Sequence, residues 1–69
     1  MYVGTVCKVV VDRGFGFIRM PGSADIFMHS YDVCDEIDWG EQLTERRVEF
    51  DLEHSTKGPR AVNIRPAKD

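Results

Sequence analysis

The sequence lacks a long hydrophobic segment and contains few cysteines. No apolar run approaches the roughly 20 residues that a membrane-spanning helix needs. Residue 1 leads straight into a strand-like segment, without a basic region followed by an apolar one, so we expect neither a leader nor a membrane span. The expected location is the cytoplasm, where the two cysteines, Cys7 and Cys34, would be free thiols.

Signatures of catalysis and of metal binding are also missing. The sequence has no nucleophile elbow, no phosphate-binding glycine loop and no close pair of acids in an apolar setting. The cysteines and histidines do not form the closely spaced pairs of a zinc site; they are Cys7, His29, Cys34 and His54. We therefore expect no enzyme activity, no metal ion and no cofactor.

Positive charge is scarce: the sequence contains nine lysines and arginines and twelve aspartates and glutamates, which gives a net charge of −3. Purely electrostatic binding of nucleic acid usually needs a basic face, and this balance argues against it. It does not exclude a stacking surface with a local basic rim. The acids concentrate between residues 32 and 53, which fits one binding face and one solvated face, although charges scattered for solubility explain them equally well.

What the 69 residues do contain is a series of short strand-like segments, and we expect a single domain over residues 1–69. A domain of this size buries only about 60% of its unfolded surface, and a closed sheet is an economical way to form its core. Valine-rich or alternating composition predicts strands over residues 2–11, 15–19, 25–29, 48–53 and 60–65. We expect an antiparallel meander of the first three and a helical turn over residues 31–33.

Two of these segments carry aromatic rings at alternate positions, Phe15 and Phe17 in one, Phe27 and His29 in the other. Residues i and i+2 of a strand share a face, so paired strands would gather all four side chains on one surface. Alternation alone does not decide whether that surface is the core. Gly16 decides, because a glycine between two phenylalanines fills no core space. The core would instead receive the alternate residues, Gly16, Ile18, Ile26 and Met28.

Aromatic rings exposed in this way are costly to leave in water unless something flat stacks on them. Nucleic-acid bases are the obvious partners, since every base has a π-face. In this interpretation His29 would stack on a base or hydrogen-bond to it, or would simply end its strand at the surface. Lys8, Arg13 and Arg60 would hold phosphates or base edges around the rings, with ordinary solvated charge as the alternative.

Four segments resemble the bacterial cold-shock domain: residues 4–6 (GTV), 13–18 (RGFGFI), 25–29 (DIFMH) and 58–64 (GPRAVNI). They occur in the family's order and nearly its spacing, and the GFGFI and D-x-F-x-H motifs are specific when found together. The resemblance implies an all-β fold, a five-stranded antiparallel OB-type barrel of cold-shock-domain type. It also implies binding of single-stranded RNA or DNA, as an RNA chaperone or a regulator of transcription or translation.

The first strand departs from the family pattern Gly-x-Val-Lys-Trp-Phe-Asn, because residues 4–10 read GTVCKVV. Lys8 takes the place of a tryptophan that is a principal stacking residue in the family, and Ser30 takes a position that is often aromatic. One stacked base contributes about 1–3 kcal/mol, so we expect affinity reduced roughly ten- to a thousandfold. The resemblance implies that Trp39 extends the stacking surface, although it would equally serve as a buried cap on the barrel.

A protein-interaction module with little or no nucleic-acid binding is the second hypothesis. The net charge of −3 and Lys8 favour it, whereas the intact set of aromatic residues opposes it. We predict the following nucleic-acid-binding residues: Lys8, Arg13, Phe15, Phe17, Phe27, His29, Trp39 and Arg60.

Overall fold

The valine-, isoleucine- and phenylalanine-rich segments form five strands that close into a barrel in the computed structural model, which describes residues 1–67. The strands are β1 (Tyr2–Val10), β2 (Phe15–Arg19), β3 (Ile26–His29), β4 (Arg47–Ser55) and β5 (Gly58–Pro66). Their order around the barrel is β1-β2-β3-β5-β4. Three 3-10 turns, Val11–Arg13, Ser30–Asp32 and Glu41–Leu43, lie in the connections.

The predicted all-β barrel and the meander of β1, β2 and β3 are confirmed. One strand pair differs from the antiparallel prediction, since β3 and β5 run parallel where the barrel closes. The helical turn predicted over residues 31–33 is present one residue earlier, at Ser30–Asp32. The domain predicted over residues 1–69 includes Lys68 and Asp69, which lie outside the described residues. No helix in the described part of the chain is long and apolar enough to cross a membrane.

The core is built from the inward-facing residues of all five strands. Ile18, Ile26 and Met28 are fully buried, which confirms the face assigned to them from the glycine between two phenylalanines. Leu43, in the turn Glu41–Leu43, is also buried, although the sequence pattern did not single it out. Within residues 1–67, the buried hydrophobic residues are Val6, Ile18, Ile26, Met28, Leu43, Val48, Phe50, Ala61 and Ile64.

A bulge in β1 decides which face Lys8 occupies. Val6 lies opposite Ile18, but Lys8, two residues later, lies opposite Phe17, so Cys7 is an extra residue in the ladder. Without the bulge, Lys8 would share the inward face of Val6, because side chains alternate along a strand. With it, Lys8 is exposed on the side of Phe17.

Candidate nucleic-acid interface

Three phenyl rings form a cluster on the outer surface of β2 and β3. The ring centroids of Phe15 and Phe27 are 5.9 Å apart at an interplanar angle of 23°, a stacked arrangement. Phe17 meets Phe15 and Phe27 edge-on, at 6.1 Å from each and at angles of 86° and 77°. All three rings are only partly buried. Together with His29, which lies opposite Phe15 in the ladder, they form what we call the aromatic face.

The backbone behind the aromatic face explains why a glycine separates Phe15 and Phe17. A Cβ atom at Gly16 would collide with the carbonyl oxygen of Lys8 and would lie 2.8 Å from Cε of Met28. Gly16 therefore permits a close approach of β1 to β2 as well as leaving room in the core. This close approach lies on the inner side of β2, while the two phenyl rings lie on its outer side.

The aromatic face continues sideways as a row of four side chains, one from each of four neighbouring strands. Lys8 lies opposite Phe17, Phe17 opposite Phe27, and Phe27 opposite Arg60. Neighbouring strands are about 4.8 Å apart, so the row is about 14 Å wide. The chain thus places two phenyl rings between two cationic side chains, an order suited to bases on the rings and acceptor groups at the ends.

A groove of about 490 Å³ lies beside the row, against the turn that joins β4 and β5. Phe17 and Phe27 form part of its wall, and Lys57, Pro59 and Arg60 contribute to the rest. The surface next to the phenyl rings is therefore concave, with a size suited to a flat ligand, and is not a flat sheet.

Arg60 does not project freely, because it is paired with Asp32 from the turn Ser30–Asp32. Its Nε and Nη2 atoms donate to Oδ2 of Asp32 at 3.1 and 2.7 Å. This hydrogen bonding, followed by the attraction of the Asp32 charge, raises the pKa of the Arg60 guanidinium above its ordinary value. Arg60 therefore stays cationic, but much of its charge is already balanced within the protein.

His29 and Tyr31 form a second pair of rings at the end of β3. Nδ1 of His29 accepts a hydrogen bond from the backbone N–H of Tyr31 at 3.2 Å, which leaves Nε2 for a ligand. The two ring centroids are 4.7 Å apart, and Tyr31 is 91% exposed. Tyr31 was not among the predicted binding residues; its place next to an aromatic-histidine segment was the only available signal.

Trp39 and Arg13 lie near the start of β2. Nε1 of Trp39 donates to the carbonyl oxygen of Val11 at 3.4 Å, and the partly buried indole packs against the core. Trp39 therefore packs against the barrel core without being fully buried, and a contribution to stacking stays a prediction. Arg13 is exposed in the turn Val11–Arg13, to which the indole is bonded.

The structure thus brings six of the predicted residues to one surface and sets two at its edge. The row and the aromatic face contain Lys8, Phe15, Phe17, Phe27, His29 and Arg60. Arg13 and Trp39 occupy the adjacent turn and loop. Their roles in binding remain predictions. Lys57 and Pro59 are additional groove residues, brought there by the β4–β5 turn.

Comparisons with known proteins agree with this architecture. Residues 2–67 match the model of the family described as 'Cold-shock' DNA-binding domain. A cold shock-like protein of Aquifex aeolicus is 43% identical over 65 residues, covering 90% of this chain and 89% of the relative. A probable cold shock protein A of Mycobacterium tuberculosis is 40% identical over 63 residues, covering 90% and 92%.

A solved structure gives the same result for the fold alone. The structure of drosophila Unr CSD456 superimposes with a TM-score of 0.75 at 24% sequence identity. The match covers 96% of this chain and 26% of that chain, so the barrel corresponds to about a quarter of the longer solved chain.

Proposed function

The chain belongs to the cold-shock DNA-binding domain family, and from this membership we propose that it binds single-stranded RNA or DNA by stacking bases on its aromatic face. The observation that carries the proposal is the position of Phe15, Phe17 and Phe27. These rings cluster on the outside of a barrel whose core is already filled by other residues. Single strands suit this face because their bases are accessible, whereas a duplex keeps its bases paired.

We propose that affinity is lower than that of relatives with an aromatic residue at position 8. Lys8 lies opposite Phe17 in the row, where a larger flat side chain would have extended the stacking surface. An ammonium group there offers one phosphate contact, which salt screens. Such a reduced affinity is compatible with a role as an RNA chaperone or as a regulator of transcription or translation.

Titration with oligothymidine and oligouridine at two salt concentrations tests the proposal, with Trp39 fluorescence as the readout. Trp39 is the single tryptophan and is bonded to the turn that precedes Phe15. We expect saturable binding of both oligonucleotides and much weaker binding of a duplex of the same length. Equal affinity for the duplex would indicate contact with phosphates instead of bases and would contradict the stacking mechanism.

A protein-binding role is the second candidate, and the exposed Lys8 of β1, in the row of side chains where an aromatic residue is missing, is the observation that favours it. If neither oligonucleotide binds at low salt, the aromatic face is better explained as a contact surface for another protein.

A further inference from the structure

In the ion pair formed by Arg60 and Asp32, the carboxylate is more deeply buried than the guanidinium. The Asp32 side chain is 17% exposed and the Arg60 side chain 40% exposed. Nε and Nη2 of Arg60 donate to the same oxygen, Oδ2 of Asp32. Among the described residues, Nη1 has no hydrogen-bond acceptor. The edge of the guanidinium formed by Nη1 and the second N–H of Nη2 is therefore available to a ligand.

This arrangement suits Arg60 to read a base edge more than to hold a phosphate. A phosphate that approached Arg60 would also meet the negative charge of Asp32, which accepts from Nη2 at 2.7 Å. A base edge carries no net charge, so the carboxylate of Asp32 does not repel it. The pair also fixes the plane of the guanidinium before any ligand arrives, and a fixed donor pair favours directional hydrogen bonds.

We propose that Arg60, positioned by Asp32, recognises a guanine base stacked beside it on Phe27. The inference rests on the proposed function and adds a base preference to it. Phe27 and Arg60 are partners in the ladder between β3 and β5, and both line the groove of about 490 Å³. A base lying on Phe27 would thus present an edge to the free side of Arg60.

Guanine fits this donor pair because its O6 and N7 acceptors are adjacent, and arginine commonly binds them bidentately. Adenine places the N6 amino donor next to N7, so one of the two contacts is replaced by a donor facing a donor. Adenine nevertheless has the same fused-ring skeleton, which makes it the matched control for stacking. Guanine and adenine should therefore differ through hydrogen bonding far more than through ring area.

The test measures binding of the full chain to oligothymidine strands in which a single guanine replaces thymine, at each position in turn. Matching sets of strands carry a single adenine, cytosine or 7-deazaguanine at the same positions. We expect one position at which guanine binds about tenfold more tightly than adenine, the lower range for one bidentate contact. 7-Deazaguanine, which lacks the N7 acceptor, should lose most of this advantage. Arg60→Gln should abolish it, so that guanine and adenine at this position bind with equal affinity.

Asp32→Asn tests the positioning role, because it retains the size of the side chain but weakens the pair. We expect the guanine preference to fall while affinity for oligothymidine is kept. Arg65→Gln is the control: Arg65 lies on the same strand and also pairs with a carboxylate, that of Glu49 at 3.4 Å. It removes the same charge and should leave the guanine preference unchanged.

Four results would overturn the inference. Equal binding of guanine and adenine at every position, or tighter binding of cytosine, would show that Arg60 does not read O6 and N7. A uniform rise in affinity for all strands in Asp32→Asn, with a steeper salt dependence, would show that Arg60 is a phosphate ligand restrained by Asp32. Failure of the parent protein to bind any strand would overturn the proposed function as well, whereas the other outcomes leave it intact.

Discussion

The phenyl rings of the aromatic face lie outside the buried core, so we expect that single rings can be removed without unfolding the protein. Phe17 and Phe27 are partly buried and contact each other edge-on, whereas Phe50 is completely buried. We expect Phe17→Ala and Phe27→Ala each to weaken single-strand binding by about 1–3 kcal/mol while the protein remains folded. Titration of each variant, together with its thermal unfolding curve, measures both effects.

Phe50→Ala is the control for this prediction, because removing a fully buried phenyl ring should cost about 3–5 kcal/mol of folding free energy. If Phe17→Ala or Phe27→Ala unfolds the protein in the same way as Phe50→Ala, these rings belong to the core and the stacking mechanism is wrong.

Lys8→Trp probes the position at which the family's stacking tryptophan is missing. Lys8 is exposed opposite Phe17, so an indole at this position would extend the row of rings on the sheet. Stacking at about 1–3 kcal/mol per base should exceed one screened charge–phosphate contact. We expect tighter binding of a short oligothymidine by Lys8→Trp, with a shallower salt dependence, in calorimetric titration at about 0.15 M salt.

Lys8→Ala is the matched variant, since it removes the charge without adding a ring, and it should lose a little affinity, mainly at low salt. If Lys8→Trp binds no better than the parent, the aromatic face is not the nucleic-acid surface, and the protein-binding candidate becomes the better explanation.

For individual residues, the sequence predicted which side chains share the aromatic face but not which contacts hold them in place. Alternation and Gly16 were sufficient to orient Phe15 and Phe17, because both signals are local. The pairing of Arg60 with Asp32 joins residues 28 positions apart, and it depends on β3 and β5 lying side by side. No local sequence pattern indicates that contact, so the expectation that Arg60 holds phosphates or base edges did not include its carboxylate partner.

Among the strands, β5 contains a residue in a conformation that strands rarely adopt. Glu49 lies opposite Arg65, but Asp51 lies opposite Val62, so two residues of β5 face one residue of β4. Asn63, within this irregularity, has a φ of +52°, in the left-handed region. The extra residue allows both Ala61 and Ile64 to point into the core despite their odd spacing.

The backbone at Asn63 predicts an inverted order of stability for two substitutions. In an ordinary strand, glycine in place of alanine lowers the stability of the protein by about 0.5–1 kcal/mol. In a left-handed conformation, by contrast, a residue with a Cβ atom costs about 1–2 kcal/mol. We therefore expect Asn63→Gly to be more stable than Asn63→Ala in urea unfolding. Both variants lose the 3.3 Å hydrogen bond from Asn63 to Asp51, so their difference isolates the backbone.

His54 provides the control, because it is exposed and lies in β4 opposite Pro59, away from the irregularity. His54→Ala should be more stable than His54→Gly, the usual order for a strand. The same order at Asn63 would show that its backbone is not left-handed in solution.

Strand positions were the most predictable elements, because valine-rich and alternating segments carry their own signal. The parallel pairing of β3 with β5 and the bulges in β1 and β5 were not predictable in the same way. They arise from closing five short strands around a common core, which is a property of the whole ladder. Leu43 was not predicted because it lies in an irregular connection, where no alternation of apolar and polar residues marks the buried side chain.

For the whole molecule, the net charge of −3 sets a limit on how far electrostatics can drive binding. The cations near the aromatic face are few, and Arg60 is already paired with Asp32. Lys8, exposed in the row, and Lys57, in the groove, are the clearest candidates for phosphate contacts, followed by Arg13 in the neighbouring turn. Most of the binding free energy should therefore come from stacking.

The salt dependence of binding measures that balance directly. Each phosphate contact to a single strand contributes a slope of about −0.7 to the logarithm of the binding constant against the logarithm of the salt concentration. With roughly two to four contacts, we expect an overall slope between about −1.4 and −2.8. Lys8→Ala and Lys57→Ala should each reduce the magnitude of this slope by about 0.7. Phe17→Ala should instead lower the affinity at every salt concentration and leave the slope unchanged. A slope much steeper than about −3 would mean that phosphate contacts, and not the aromatic face, dominate binding.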